Sequence, residues 1–163
     1  MAFSNKVKVF ATRGSDGLAR EVCGYLQKRL PKKMQPDRHL TLGMVNVEEF
    51  SNENIFVQVE NVRDHFVIIF HTQTPPVNKG IIELFHLIDA INNAQASDIL
   101  IVFPYMPYAR ADKKDQPRIS VFSRVMADIL NNAFGVRRVI LLDPHDTHIK
   151  HYFKPSADEI SAI

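Results

Sequence analysis

Short apolar runs at residues 67–71, 99–103 and 138–142 alternate with stripes of apolar residues at helical spacing. One stripe is Ile81, Leu84, Phe85, Ile88 and Ile91; the next is Phe122, Val125, Met126, Ile129 and Leu130. A run that is apolar at nearly every position suits a strand buried on both faces. Parallel neighbours need a long crossover, and a helix between them supplies it. The alternation therefore predicts an α/β fold, a mostly parallel sheet flanked by helices on both faces.

The flanking stretches fill in the rest. Residues 6–11 alternate charged and apolar side chains and read as a strand. Leu18, Val22, Tyr25, Leu26 and Leu30 predict a helix, capped by Ser15 or Asp16 and stopped by Pro31. Residues 31–39 are basic and flanked by proline, a solvated connection. Residues 40–50 and 55–60 flank the polar tip 51–54 and predict an antiparallel hairpin with a four-residue loop. Asn78 is the expected cap of the second helix, and Gly135 the glycine that ends the third.

At 163 residues the chain is long enough for one domain with its own core. Hydrophobic residues make up 45%, which argues against a disordered chain. A formal net charge of +2 is too small for the basic stripe expected of a nucleic-acid binder. Apolar runs fall far below the ~20 residues of a membrane helix, and residues 1–10 lack the apolar core of a secretion signal. The single Cys23 has no partner for an internal disulfide. A cytoplasmic setting, without nucleic acid or membrane, is the expectation.

Charge concentrates where strands are expected to end. After residues 99–103 comes a loop, 104–118, that carries Arg110, Asp112, Lys113, Lys114, Asp115 and Arg118 and is stiffened by Pro104, Pro107 and Pro117. After residues 138–142 come Asp143, Pro144, His145 and Asp146. In open parallel sheets ligands bind outside the carboxyl ends of strands. Two such loops after successive strands would share one end of the sheet. Arg110 offers a planar fork for phosphate oxygens, and the lysines offer point charges. Asp143 with His145 could hold a divalent cation, with Mg²⁺ taking a carboxylate and keeping most of its waters. Asp146, His148 and His151 follow, but their spacing fits no structural zinc pattern. Phe50 and Phe56 flank the hairpin tip, where an exposed ring could stack on a purine. No Gly-x-Ser-x-Gly elbow and no Walker-type lysine loop is present.

Taken together these segments resemble the N-terminal half of ribose-phosphate diphosphokinase, the PRPP synthetase family. Phe50-Ser51-Asn52 with Val62-Arg63 is similar to its adenine-binding hairpin. Pro107-Tyr108-Ala109-Arg110 with Asp112 to Asp115 and Arg118 is similar to its ATP loop. Asp143-x-His145 with Ile149, Tyr152-Phe153 and Asp158 is similar to its metal signature. The resemblance implies a phosphoribosyltransferase-like fold, with residues 1–163 as the nucleotide-side domain of a two-domain enzyme. That enzyme would move the diphosphoryl group of Mg-ATP to ribose 5-phosphate, giving PRPP and AMP. By the same resemblance Phe50 and Asn52 would hold adenine, and Arg110, Asp112, Lys113, Lys114, Asp115 and Arg118 the rest of ATP. Asp143, His145 and Asp158 would meet Mg²⁺. It also implies a homo-oligomer in the full-length protein.

The chain departs from the family pattern in places. Asn54 stands where a glutamate is expected, Ala111 for a glutamine, Pro144 for an aliphatic residue, His148 for a glutamine and Lys154 for an acid. The family's ribose-phosphate loop and its catalytic flexible loop do not occur. The expectation is an N-terminal piece, inactive alone, lacking the ribose-phosphate domain. A non-catalytic regulatory relative is the alternative.

Overall fold

The computed structural model describes residues 6–29 and 40–161. The predicted helix end at Leu30 and Pro31 and the basic connection 31–39 lie outside the described residues. Its centre is a parallel sheet in the order β1-β4-β5-β6-β7. The strands are β1 (Val7–Ala11), β4 (Phe66–Phe70), β5 (Asp98–Phe103), β6 (Arg138–Leu142) and β7 (Asp158–Ile160). The register is continuous across the sheet: Val9 faces Ile68, Ile68 faces Leu100 and Leu100 faces Arg138.

Helices lie on both faces, and the path of the chain says why. The steps from β4 through α2 (Val77–Asn93) to β5, and from β5 through α3 (Phe122–Asp128) to β6, run in one direction across the sheet. Right-handed crossovers then put both helices on the same face. There Leu84, Leu87, Ile88, Met126 and Leu130 pack on Val67, Ile69, Ile101 and Leu141. From β1 the chain passes through α1 (Asp16–Arg29) to Leu42, which bridges Val9 in parallel on the far side of β1. That step runs the other way, so α1 covers the opposite face, with Ala19 and Cys23 on Val7, Val9, Phe70 and Val102.

The hairpin is present but shorter than predicted. It pairs β2 (Val45–Glu49) with β3 (Ile55–Val59), Val47 opposite Val57. Residues 40–43 leave it because Leu40 is buried and Leu42 pairs with β1 instead. Its tip is a tighter loop than the expected four residues. The Phe50 N–H donates to Asn54 O, the Glu53 N–H donates to Phe50 O, and Glu53 takes φ 66°. That is a type I turn followed by a left-handed residue.

Other corrections are local. Asn78 lies inside the first turn of α2, whose cap position is Pro76. The third helix is short and gives way to a π-helical turn, Ile129–Ala133, before Gly135 ends it at φ 68°. The widened turn carries Asn131 to the β6–β7 connection. Its amide donates to Val136 O and Lys154 O and accepts from the Lys154 N–H. Strand β7 was not anticipated; it pairs with β6, Leu141 beside Glu159.

Gly43 is where the hairpin arm meets the sheet. Its N–H donates to Val9 O at 2.7 Å, and a Cβ there would run into the buried Phe10 ring. Gly43→Ala should therefore cost about 1–3 kcal/mol of stability through overpacking. Urea denaturation checks it; an unshifted midpoint would show that the arm yields freely.

Candidate functional site

All the parallel strands point the same way, so the segments after β1, β4, β5 and β6 meet on one rim. The half of the rim after β1 and β4 is internally closed. Thr12 Oγ1 donates to Phe70 O at 3.3 Å and lies 2.6 Å from His71 Nδ1. The other ring nitrogen, Nε2, takes no part in this bond. Nε2 is buried and has no partner, and the ring's edge meets Phe103. Burial pushes the His71 pKa down to about 4, so the ring is neutral. Gly14, at φ 80°, lies so close to Thr74 that a Cβ would overlap its hydroxyl. Arg13 pairs with the buried Glu83 of α2 at 2.7 Å.

The half after β5 and β6 is built differently. The chain leaves β5 through Pro104 and Tyr105 and makes two tight turns: the Ala109 N–H donates to Met106 O, and the Ala111 N–H to Tyr108 O. Arg110 sits in the second turn, exposed, with no ion-pair partner among the described residues. It borders a cavity of about 610 Å³ with Gln73, Val77, Tyr105, Tyr108 and Ala111. Lys113 reaches across to Asp146, 2.5 Å away, and ties this loop to the one after β6. The hydrogen bond between them raises the Lys113 pKa and lowers that of Asp146. Tyr105 borders the Arg110 cavity and also a small gap lined by Asp143, Pro144 and His145. The spatial link between the two charged loops, expected from strand order, is thus present.

The remaining predicted residues fall in different places. Asp112 is 7% exposed, and its backbone carbonyl accepts the Tyr152 hydroxyl at 2.6 Å. Asp112, Lys113 and Lys114 line a separate cavity of about 360 Å³ with Arg124 and His148. Asp115 and Arg118 are exposed further along the loop, Arg118 at φ 67°. Phe50 is 54% exposed beside Asn52 at the hairpin tip, and neither lines the Arg110 cavity. Asp143 has φ 38°, a bend that turns the chain just past β6, and its Oδ1 accepts the Ser161 hydroxyl. Asp158 begins β7 opposite Ile140, about 10 Å along the ladder from Asp143 at the rise of a strand. Among the described residues no three His, Cys, Asp or Glu side chains converge as a metal cage. One exposed carboxylate with an imidazole nearby still fits Mg²⁺, which fills most of its shell with water and ligand phosphates.

Sequence reasoning gave no site role to Gln73, Tyr105 or His71, saw Asn78 only as a helix cap, and named Tyr108 only within the motif that carries Arg110. The one available signal was positional: residues 72–76 follow β4, so they share the rim with the charged loops.

Comparison with known proteins assigns the class. Residues 7–133 match the family described as the N-terminal domain of ribose phosphate pyrophosphokinase. The ribose-phosphate pyrophosphokinase of Deinococcus radiodurans is 36% identical over 155 residues, 94% of this chain and 44% of that protein. That of Thermotoga maritima is 33% identical over 161 residues, 98% of this chain and 47% of that protein. A crystal structure of phosphoribosylpyrophosphate synthetase from Mycobacterium smegmatis superposes with a TM-score of 0.83 at 28% identity, covering 96% of this chain and 49% of that one. The chain belongs to the ribose phosphate pyrophosphokinase N-terminal domain family. It spans about half the length of the curated relatives it matches. No helix among the described residues is long and apolar enough to cross a membrane.

The buried histidine gives the rim a pH signature. The unfolded chain takes up a proton at His71 near pH 6.5, whereas the folded chain resists until about 4. Stability is therefore unaffected by His71 above pH 6.5 and falls as pH drops through that window, by about 3 kcal/mol in all. Urea titrations of the parent and of His71→Asn from pH 7 to 4 check this. The stability difference, parent minus variant, should shrink with acid; a constant difference would refute it.

Proposed function

We propose that the chain is the nucleotide-side domain of a two-domain ribose-phosphate pyrophosphokinase, and that its β5–β6 rim holds Mg-ATP. The observation that carries this is the exposed Arg110, without an ion-pair partner among the described residues, on a loop pinned by Lys113 to the Asp143–Asp146 segment. An open guanidinium on a loop tied to the one that carries an acid and an imidazole suits the phosphate chain of a nucleotide and its cation. Arg110 and Lys114 would grip phosphate oxygens, and Asp143 with His145 would meet the metal–phosphate assembly. Mg²⁺, when bound, would neutralise charge on the diphosphoryl group as it transfers. The exposed Phe50 and Asn52, which do not line the Arg110 cavity, would take adenine, in a neighbouring subunit's site if the full-length protein is a homo-oligomer.

Ribose 5-phosphate, the acceptor, would come from a second domain beyond the family match. Its 1-hydroxyl oxygen would attack the β-phosphorus, and the bond to the α-phosphate oxygen would break to release AMP. In such transfers positioning and charge neutralisation do most of the work. The isolated chain would bind nucleotide without turning it over. The single free Cys23 supports a reduced, cytoplasmic setting for the enzyme.

A second reading, a non-catalytic regulatory relative, is favoured by Ala111, whose short side chain lines the Arg110 cavity, and by Asn54 at the hairpin tip. Synthetase assay of the full-length polypeptide separates the two readings.

Arg110→Ala should weaken Mg-ATP binding to the chain about tenfold, or about 1.4 kcal/mol. Titration calorimetry measures it, and equal affinity would remove Arg110 from the phosphate site.

A further inference from the structure

Tyr108 sits in the left-handed region at φ 58°. For a bulky side chain that is a genuine outlier, and such backbones persist only where their surroundings hold them. Here the surroundings are visible. The Tyr108 N–H donates to Gln73 Oε1 at 3.1 Å, and Gln73 in turn donates its own N–H to Tyr105 O. The Tyr108 hydroxyl donates to Asn78 Oδ1 at 2.5 Å, in the first turn of α2. Its ring packs on Phe122, the first residue of α3, with centroids 4.6 Å apart. Its carbonyl accepts the Ala111 N–H at 2.8 Å, closing the turn in which Arg110 sits. Contacts to the β4–α2 segment, α2 and α3 thus converge on the residue that opens the Arg110 turn.

We propose that Tyr108 is a positioning residue: anchored by Gln73 and Asn78, it fixes the turn that presents Arg110 to the cavity. Its hydroxyl transmits the placement of α2 to the turn that carries the guanidinium. This rests on the nucleotide reading only for its consequence in binding; the latch itself is a property of the free chain. Orientation matters here because a guanidinium grips phosphate through a fixed fork, so a tilt forfeits one of two bonds.

The test uses the full chain and variants that keep the ring. Tyr108→Phe and Asn78→Ala each remove the hydroxyl bond, whereas Asn78→Asp keeps an acceptor and should rescue it. Amide hydrogen exchange at Ala111 reads the turn directly, and calorimetry with Mg-ATP reads the outcome. Tyr108→Phe and Asn78→Ala should speed Ala111 exchange at least fivefold and weaken Mg-ATP about fivefold. Asn78→Asp should leave both near the parent, with unchanged melting temperatures throughout. Parent-like Ala111 exchange in Tyr108→Phe would overturn the latch. If the parent chain shows no Mg-ATP heat, the nucleotide reading fails, while exchange at Ala111 still decides the latch.

Discussion

The parallel hydrogen-bond ladder from β1 through β4 and β5 to β6 is the constraint from which the rest follows. Because these strands share one direction, their outgoing segments all emerge on the same rim. Because β4, β5 and their inward-facing neighbours carry apolar side chains on both faces, the ladder can be buried from both sides. A slip of one residue in β5 would exchange Ile101 and Val102 between the two cores, which the different helix faces above and below would not accept. The register therefore fixes the rim, and the rim fixes where Arg110, Asp143 and His145 stand.

How much of this could be read from the chain alone depended on whether the cause was local. Strands β5 and β6 and helix α2 announce themselves, since apolar run and helical stripe are direct images of burial. The hairpin was legible in type but not in extent. Nothing in residues 40–44 says that Leu42 pairs with Val9 rather than continuing β2, because that choice is settled by a contact distant in sequence. Strand β7 escaped because Asp158 to Ile160 is short, exposed and not apolar throughout; only the free edge of β6 makes it a strand. The cap of α2 was misread since Asn78 is a good capping residue, yet its side chain is engaged by Tyr108.

The site divides in the same way. Charge on the two loops was visible because it breaks abruptly from apolar strands. What each charge does was not. Asp112 reads like Lys113 and Lys114 in sequence, but its neighbour Tyr152 comes from a 3₁₀ turn forty residues on and covers it. Asp158 shares a signature with Asp143 and His145, yet strand geometry holds it well down the β6–β7 ladder. Gln73 and Tyr108 carry no charge, and their importance comes from each other.

The two halves of the rim also differ in what they can do electrostatically. After β1 and β4, Thr12 is spent on His71 and Arg13 on Glu83, although His71 Nε2 and the Ser15 hydroxyl are buried without partners among the described residues. A phosphate arriving there would meet a cation already neutralised by a buried carboxylate. It would also meet a histidine that burial keeps uncharged at neutral pH. After β5 and β6 the guanidinium at Arg110 is exposed and has no ion-pair partner among the described residues, and in the Lys113–Asp146 bridge the lysine is exposed while the carboxylate is largely covered. The ammonium end is open to solvent, so Lys113 can turn toward a phosphate oxygen more easily than Arg13, whose partner Glu83 is buried. The proposed anion site on the second half thus has a reason beyond the number of cations: among the described rim residues, Arg110 offers a guanidinium without an ion-pair partner, whereas that of Arg13 is held by Glu83.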